Sequence, residues 1–290
     1  MNAHTLLALY AQTNIHAGTG QNTISSIDLP IQREAHTGYP CVYGSATKGA
    51  LRAKFDADSD KATTNRLFGS ETSGDNGNAG CLAITDTRLL LLPVRSLTSH
   101  FKWVTCPALL NRFKQDMARM GKEIKAQTPT LKAEEAQVHT GAETGALYLE
   151  EYRLTVQANN FSVWIEHLVP MMPEDSKTAL EKQLTVVSDD LFAFLAQNST
   201  PVHAHNKINS DTKTVVAGAL WWEESLPADT LLYTCIHAFN GRELTEDKKH
   251  SQVTAVDNLA AFTSAMSGKP YLQIGGNETT GMGFCLAKCL

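Results

Sequence analysis

A chain of 290 residues, 42 % hydrophobic and 19 % charged, has ordinary globular composition and enough apolar material for a sizeable core, whether in one large domain or two small ones. Its net charge of −5 argues against a free, non-specific nucleic-acid binder but leaves room for a groove that is basic only locally. The six cysteines are scattered without a CxxC pair, no window approaches about 20 apolar residues, and the N-terminus lacks the basic flank of a signal peptide, so structural thiols and a cytoplasmic location are expected.

In chain order, Leu6 to Tyr10 reads as a buried first strand, followed by the loop TNIHAGTG. The stretch IDLPIQREAHTGYP (27–40) holds two prolines and a glycine, which rule out a regular helix or a central strand. It is a stiffened loop bearing Asp28, Arg33, Glu34 and His36. Behind it the reading predicts a helix with Ser45 as N-cap, running to about Phe55, with Leu51 and Phe55 facing the core. Asp56 to Gly80 is polar and rich in Gly, Asn and Ser, which predicts a loop or mobile insertion. Cys81 to Val94 reads as one strong strand, and Pro107 to about Met120 as a helix with Leu109, Leu110, Phe113 and Met117 at helical spacing. Lys122 to Ala146 has little apolar periodicity and predicts no packed element. Strands follow within Ala146–Val156, a helix at Ser188–Ala196, and a long hairpin within Pro201–Trp222 around Asn209-Ser210-Asp211. The rest is a strand at Leu231–Phe239, a helix at Val256–Ser267, and a terminal strand, glycine loop and strand. Strands and helices do not alternate regularly, so an α+β ferredoxin-like core with long insertions fits better than a doubly wound sheet.

Four places could carry chemistry, and each has a plain structural alternative. The helix start GSATKGALRAK presents unpaired N–H groups, a partial positive charge and Lys48 in its first turn, a combination that suits an anion. It is not a Walker A loop, and a solvated basic face is the alternative. The terminal loop GGNETTGMG has four glycines, does not match GxGxxG, and could be a tight turn or a close approach for a partner's backbone. The long hairpin carries His203, His205 and Lys207, two imidazoles on one face with no third ligand nearby, so it is either solvated or a wedge for nucleic acid. Asp28, alone on its loop, lacks the further acids of a two-metal nuclease and by itself reads as a turn residue.

Taken together, the runs LYAQTNIHAGTG, IDLPIQREAHTGYP with GSATKGALR, LFGSETS, PVRSLTSHFKWVTCP, VVSDDLFAFL, ALWWEESLP and GGNETTGMGF occur in order along the whole chain. They resemble the backbone subunit of type III-B (Cmr) CRISPR effector complexes, a member of the RAMP superfamily. The resemblance implies one RAMP domain over residues 1–290. This would be an RRM-like palm with insertions around 56–80 and 99–146 and a protruding hairpin thumb around Val202–Trp221. It also implies a filament of copies along a CRISPR guide RNA, other subunits of the complex, and cleavage of guide-paired target RNA at regular intervals.

Carried residue by residue, the resemblance makes Asp28 the candidate for cleavage and for holding Mg²⁺ or Mn²⁺. It places Lys48, with Ser45 and Arg52, at guide phosphates, Gly281 and Gly283 in a loop beside the guide, and His16 near RNA. Arg33 could meet phosphates, and Lys207, on the thumb, is a further RNA-binding candidate. Attack by the RNA's own 2′-OH, leaving a 2′,3′-cyclic phosphate, is the expected reaction. Two alternatives remain open at this point. One is a non-catalytic scaffold of the same complex. The other is a stand-alone endoribonuclease processing repeat RNA with His16 or His36 as base.

Overall fold

The computed structural model describes residues 3–21, 26–70, 78–241 and 252–290. From the N-terminus, β1 (Ala3–Ala11) and the short β2 (Cys41–Val42) precede α1 (Gly44–Asp58) and α2 (Lys61–Phe68). Next come β3 (Leu82–Ile84), β4 (Thr87–Ser96), β5 (His100–Thr105) and α3 (Pro107–Arg119). The middle of the chain supplies β6 (Glu135–His139), β7 (Ala146–Leu149), β8 (Tyr152–Asn159), α4 (Ser162–Leu168), α5 (Ser176–Gln183), β9 (Leu184–Val187) and α6 (Asp189–Asn198). The last part holds β10 (Val202–Ile208), β11 (Val215–Glu224), β12 (Leu231–Ala238), α7 (Ala255–Gly268), β13 (Tyr271–Gln273) and β14 (Phe284–Cys289).

Four of these strands form the expected core. They lie in the order β14-β1-β12-β4, every neighbour antiparallel, with α1 between β1 and β4 in sequence and α7 between β12 and β14. That is the βαββαβ arrangement of a ferredoxin-like palm. The run LLALYA in β1 is continuously apolar because both faces of the strand are covered. Leu7, Leu9 and Ala11 pack with Leu51 and Phe55 of α1 and Phe262 and Met266 of α7. Leu6, Ala8 and Tyr10 face the other way, against Leu110, Phe113 and Met117 of α3 and Trp164 and Leu168 of α4.

Between β4 and β12 the chain builds a second, smaller sheet. The far half of β4, Leu92 to Ser96, pairs with β5, and the order continues β9-β6-β8-β7, with Ser96 opposite Leu149 bringing β7 back to β4. The polar stretch 122–146 therefore does contribute a packed element: β6 is held between β8 and β9, with only Ala136 and Val138 turned inward. Two inward residues of modest size leave too weak a period to read.

Three other expectations are corrected. The 56–80 stretch contains α2, capped by the Asp60 side chain on Thr63 N and anchored by Leu67 and Phe68, whose ring meets Phe55; residues 71–77 lie outside the described residues. The strand expected over 81–94 is two strands, separated at Thr85 and Asp86. Ser45 is not the cap of α1. Tyr43 holds that position without a side-chain bond, and the Asp86 carboxylate accepts from Gly44 N at 2.7 Å instead. The chain thus supplies its own anion to the helix start.

Among the described residues no helix is long and apolar enough to cross a membrane. Burial pushes the Cys41 and Cys235 thiols up to about 11 and those of Cys106, Cys285 and Cys289 up to about 12. They are protonated packing groups near neutrality.

Candidate active site at the base of a hairpin

Among the described strands β10 and β11 pair only with each other and project as a two-stranded ribbon, the thumb, over 202–224. The register places Val202 opposite Glu224, Ala204 opposite Trp222, and His205 opposite Trp221. One face carries Val202, Ala204, Leu220 and Trp222. The other carries His203, His205, Trp221 and Glu223. Lys207 is exposed beyond them, where the ladder slips between Asn206 and Ile208.

The loop bearing Asp28 is clamped to the base of this ribbon. Leu29 N donates to Trp222 O and Glu224 N to Leu29 O, each at 3.0 Å, and Trp222 N donates to Asp28 Oδ2 at 2.7 Å. The opposite side of the loop is stitched to the NIHAG segment: Gln32 N donates to Ala17 O, and Thr19 N to Pro30 O. Pro30 has no N–H to satisfy, so its carbonyl alone serves the ladder. Asp28 is half-buried, and its second carboxylate oxygen has no partner among the described residues.

Glu224 is the hub of this arrangement. Its side chain is 3 % exposed; Oε1 accepts from Arg33 Nη2 at 2.5 Å and Thr200 Oγ1 at 2.7 Å, and Oε2 accepts from Ile31 N at 3.0 Å. Arg33 also donates to the carbonyls of Gly38 and Ala196, both at 2.8 Å. Its guanidinium is turned inward to hold the loop. Beyond it, Arg33 to Pro40 folds back as a tight turn in which Glu34 accepts from Arg112 and Thr37, while His36 points to solvent. Burial raises the Glu34 carboxyl, but those hydrogen bonds outweigh it and hold the group below its ordinary 4.5. A depressed folded value contributes stability above about pH 4.5 that is lost as pH falls through it. Thermal melts from pH 6 down to 3 should therefore show a shallower acid loss for Glu34→Gln than for wild type.

His16 is buried behind the same base. Its Nδ1 lies 2.7 Å from Glu224 O, an atom that only accepts, so Nδ1 carries the proton in the neutral ring and Nε2 is the free lone pair. The glycine loop closes over it: Gly276 N donates to His16 O, Gly283 N to Asn14 O, and Asn277 Nδ2 to Glu223 Oε1 at 2.5 Å. Gly281 and Gly283 both have positive φ, +85° and +84°, but only Gly283 is also crowded, since a Cβ there would meet Ile274 O at 2.2 Å. Melting should separate them. Gly281→Ala should cost about 1 kcal/mol of strain, whereas Gly283→Ala should cost several-fold more, or prevent folding.

The remaining sequence candidates lie on α1, apart from this cluster. Ser45 and Lys48 line a cleft of about 580 Å³ together with Gly69, Ser70, Gly80 and Phe239. Arg52 does not point there: it donates to Gly69 O and Asn65 Oδ1 and pairs with Asp56 at 3.5 Å, tying α1 to α2. The structure thus brings Asp28, His16 and the glycine loop together, and adds Trp222, Glu223, Glu224 and Asn277, which sequence reading passed over. The available signal was two consecutive acids closing the apolar run ALWW just before Pro227.

A family model, the RAMP superfamily, matches residues 8–286. The chain belongs to the RAMP superfamily. Its RAMP relatives include the CRISPR system Cmr endoribonuclease Cmr4 of Pyrococcus furiosus, 34 % identical over 289 residues, spanning 96 % of this chain and 93 % of that protein. The CRISPR system CMR subunit Cmr4 of Saccharolobus solfataricus is 24 % identical over 301 residues, spanning 94 % and 92 %. Among solved structures, oligomeric Cmr4 from Pyrococcus furiosus matches with a TM-score of 0.73 at 28 % identity, over 99 % of this chain and 97 % of that one. A chain of the type III-B Cmr-beta complex bound to cognate target RNA shares the fold, with a TM-score of 0.74 at 19 % identity over 99 % and 96 %.

Proposed function

We propose that this chain is the backbone subunit of a type III-B CRISPR effector. In this reading it binds guide RNA in the cytoplasm, assembles with further copies and other subunits, and cuts complementary target RNA at regular intervals. One observation carries the assignment. In a chain that matches a named endoribonuclease over 93 % of that protein, the Asp28 carboxylate is fixed at the base of an exposed hairpin by the Trp222 amide, with one oxygen unpartnered among the described residues.

The reaction is transesterification. The target's 2′-oxygen attacks the adjacent phosphorus, the P–O5′ bond breaks, the 2′-OH proton passes to a base, and the departing 5′-oxygen takes up a proton. The products are a 2′,3′-cyclic phosphate and a 5′-OH. In this reading the second oxygen of Asp28 accepts the 2′-OH proton, and the clamp around it serves alignment. The donor set fits a cation held through one carboxylate, water and substrate phosphates, which is how Mg²⁺ is commonly bound; among the described residues there is no group of three or more candidate ligands. Asp28 would hold Mg²⁺ or Mn²⁺, which would neutralise charge on the phosphoryl oxygens.

The reconstituted complex should cut a labelled guide-complementary RNA at evenly spaced positions, with cyclic phosphate ends. Uncut RNA, or cuts without regular spacing, would refute the assignment. A scaffold reading has one observation in its favour: an aspartate that accepts from a backbone amide is already doing a loop-holding job. The repeat-processing reading is weaker, because His36 lies in the exposed turn and His16 is enclosed.

A further inference from the structure

Trp222 is 43 % exposed, although its own main chain is the clamp for Asp28. The two tryptophans of β11 differ sharply. Trp221 is covered by the His205 imidazole, with ring centroids 5.5 Å apart and planes within 15°. Trp222, on the other face, sits opposite the methyl of Ala204, and among the described residues no aromatic ring packs on it. An indole left facing water on the residue whose backbone N–H binds a cleavage carboxylate is an unfavourable arrangement unless something flat covers it in the working state.

The proposed chemistry supplies that cover. In-line attack needs the 2′-oxygen, the phosphorus and the 5′-oxygen in a row, and a stacked A-form strand does not hold them so. The reacting nucleotide must leave the stack, which bares one face of its base. Protein aromatics receive such bases in single-stranded RNA, and every base has a face to offer. We propose that Trp222 is the platform on which the unpaired target base flanking the scissile phosphate stacks, so that Asp28 and the reacting nucleotide are located by the same residue. The proposal rests on the ribonuclease reading above. It makes Trp222 a substrate-positioning residue that tolerates any base.

The test uses the assembled complex with its guide and target RNAs in which a single abasic ribonucleotide, or a 2-aminopurine, is placed in turn on either side of each cut. An abasic residue at one of these positions should slow single-turnover cleavage by wild type roughly ten- to a hundredfold. Trp222→Ala should cut intact RNA with the same loss, and should lose little more on the abasic target, while Trp222→Phe stays near wild type. Multiplying losses, wild-type rates for Trp222→Ala, or a Trp222→Ala complex that fails to assemble would each overturn the proposal. The 2-aminopurine emission reads stacking without cleavage: it should be quenched at that position in wild type and brighter in Trp222→Ala. A complex that cuts nothing but shows this Trp222-dependent quenching would refute the ribonuclease reading and support the platform. One that cuts without any Trp222 dependence would do the reverse.

Discussion

Asp28→Asn should lower the rate of target cleavage by about a hundredfold or more while leaving thermal stability and guide-RNA binding close to wild type. The asparagine oxygen can still accept from Trp222 N, so the loop keeps its tie to β11 and only the charge and basicity are lost. Asp28→Ala removes both. It should be equally inactive and slightly less stable, because the Trp222 amide loses its acceptor. The pair of variants separates the two roles of this carboxylate. If Asp28→Asn cuts as fast as wild type, the group is a loop tie and the chemistry lies elsewhere. The measurement is single-turnover cleavage of labelled target by the assembled complex, with a melt and a guide-binding titration alongside.

The second large effect is expected at Glu224. Glu224→Ala leaves Ile31 N, Thr200 Oγ1 and the Arg33 guanidinium without their shared acceptor in a buried place. Breaking such a pair from one side costs about 3–5 kcal/mol, a fall in melting temperature on the order of 10 °C. Cleavage should fall too, since a displacement of about 1 Å in a positioned group costs roughly a hundredfold. Glu224→Gln keeps the acceptors' place without the charge and should sit between. Arg33→Lys should not rescue, because one ammonium cannot reach Gly38 O, Ala196 O and Glu224 together. A Glu224→Ala protein that melts with wild type would show that the loop does not depend on this hub.

What was legible in the sequence was whatever a local period or a stiff residue encodes. The apolar run of β1, the stripe Leu109, Leu110, Phe113, Met117 of α3, the long hairpin and the closing strand-loop-strand all carry such signals, and all are present. α2 was hidden because its polar residues outnumber the two, Leu67 and Phe68, that tertiary packing holds. The tie of Arg33 to Glu224 was not legible because its partner lies 191 residues further along. Nothing in the spacing of IDLPIQRE says whether a guanidinium turns outward to phosphate or inward to a glutamate. Asp28 was picked out by family resemblance, and its geometry became visible only when the base of the thumb was in place.

The position of β1 has a consequence for synthesis. It is made well before both its neighbours, which lie far along the sequence: β12 at residues 231–238 and β14 at 284–289, with Leu290 N donating to Leu6 O. A nascent chain therefore carries the unpaired strand LLALYA until β12 and β14 have left the ribosome, a template for pairing with other copies in the meantime. The palm sheet closes only once residues 284–289 have been made, and its rate is governed by closure of a very long loop. Removing β14 would leave β1 with an open edge, so insolubility, not partial activity, is the expected phenotype of such a deletion.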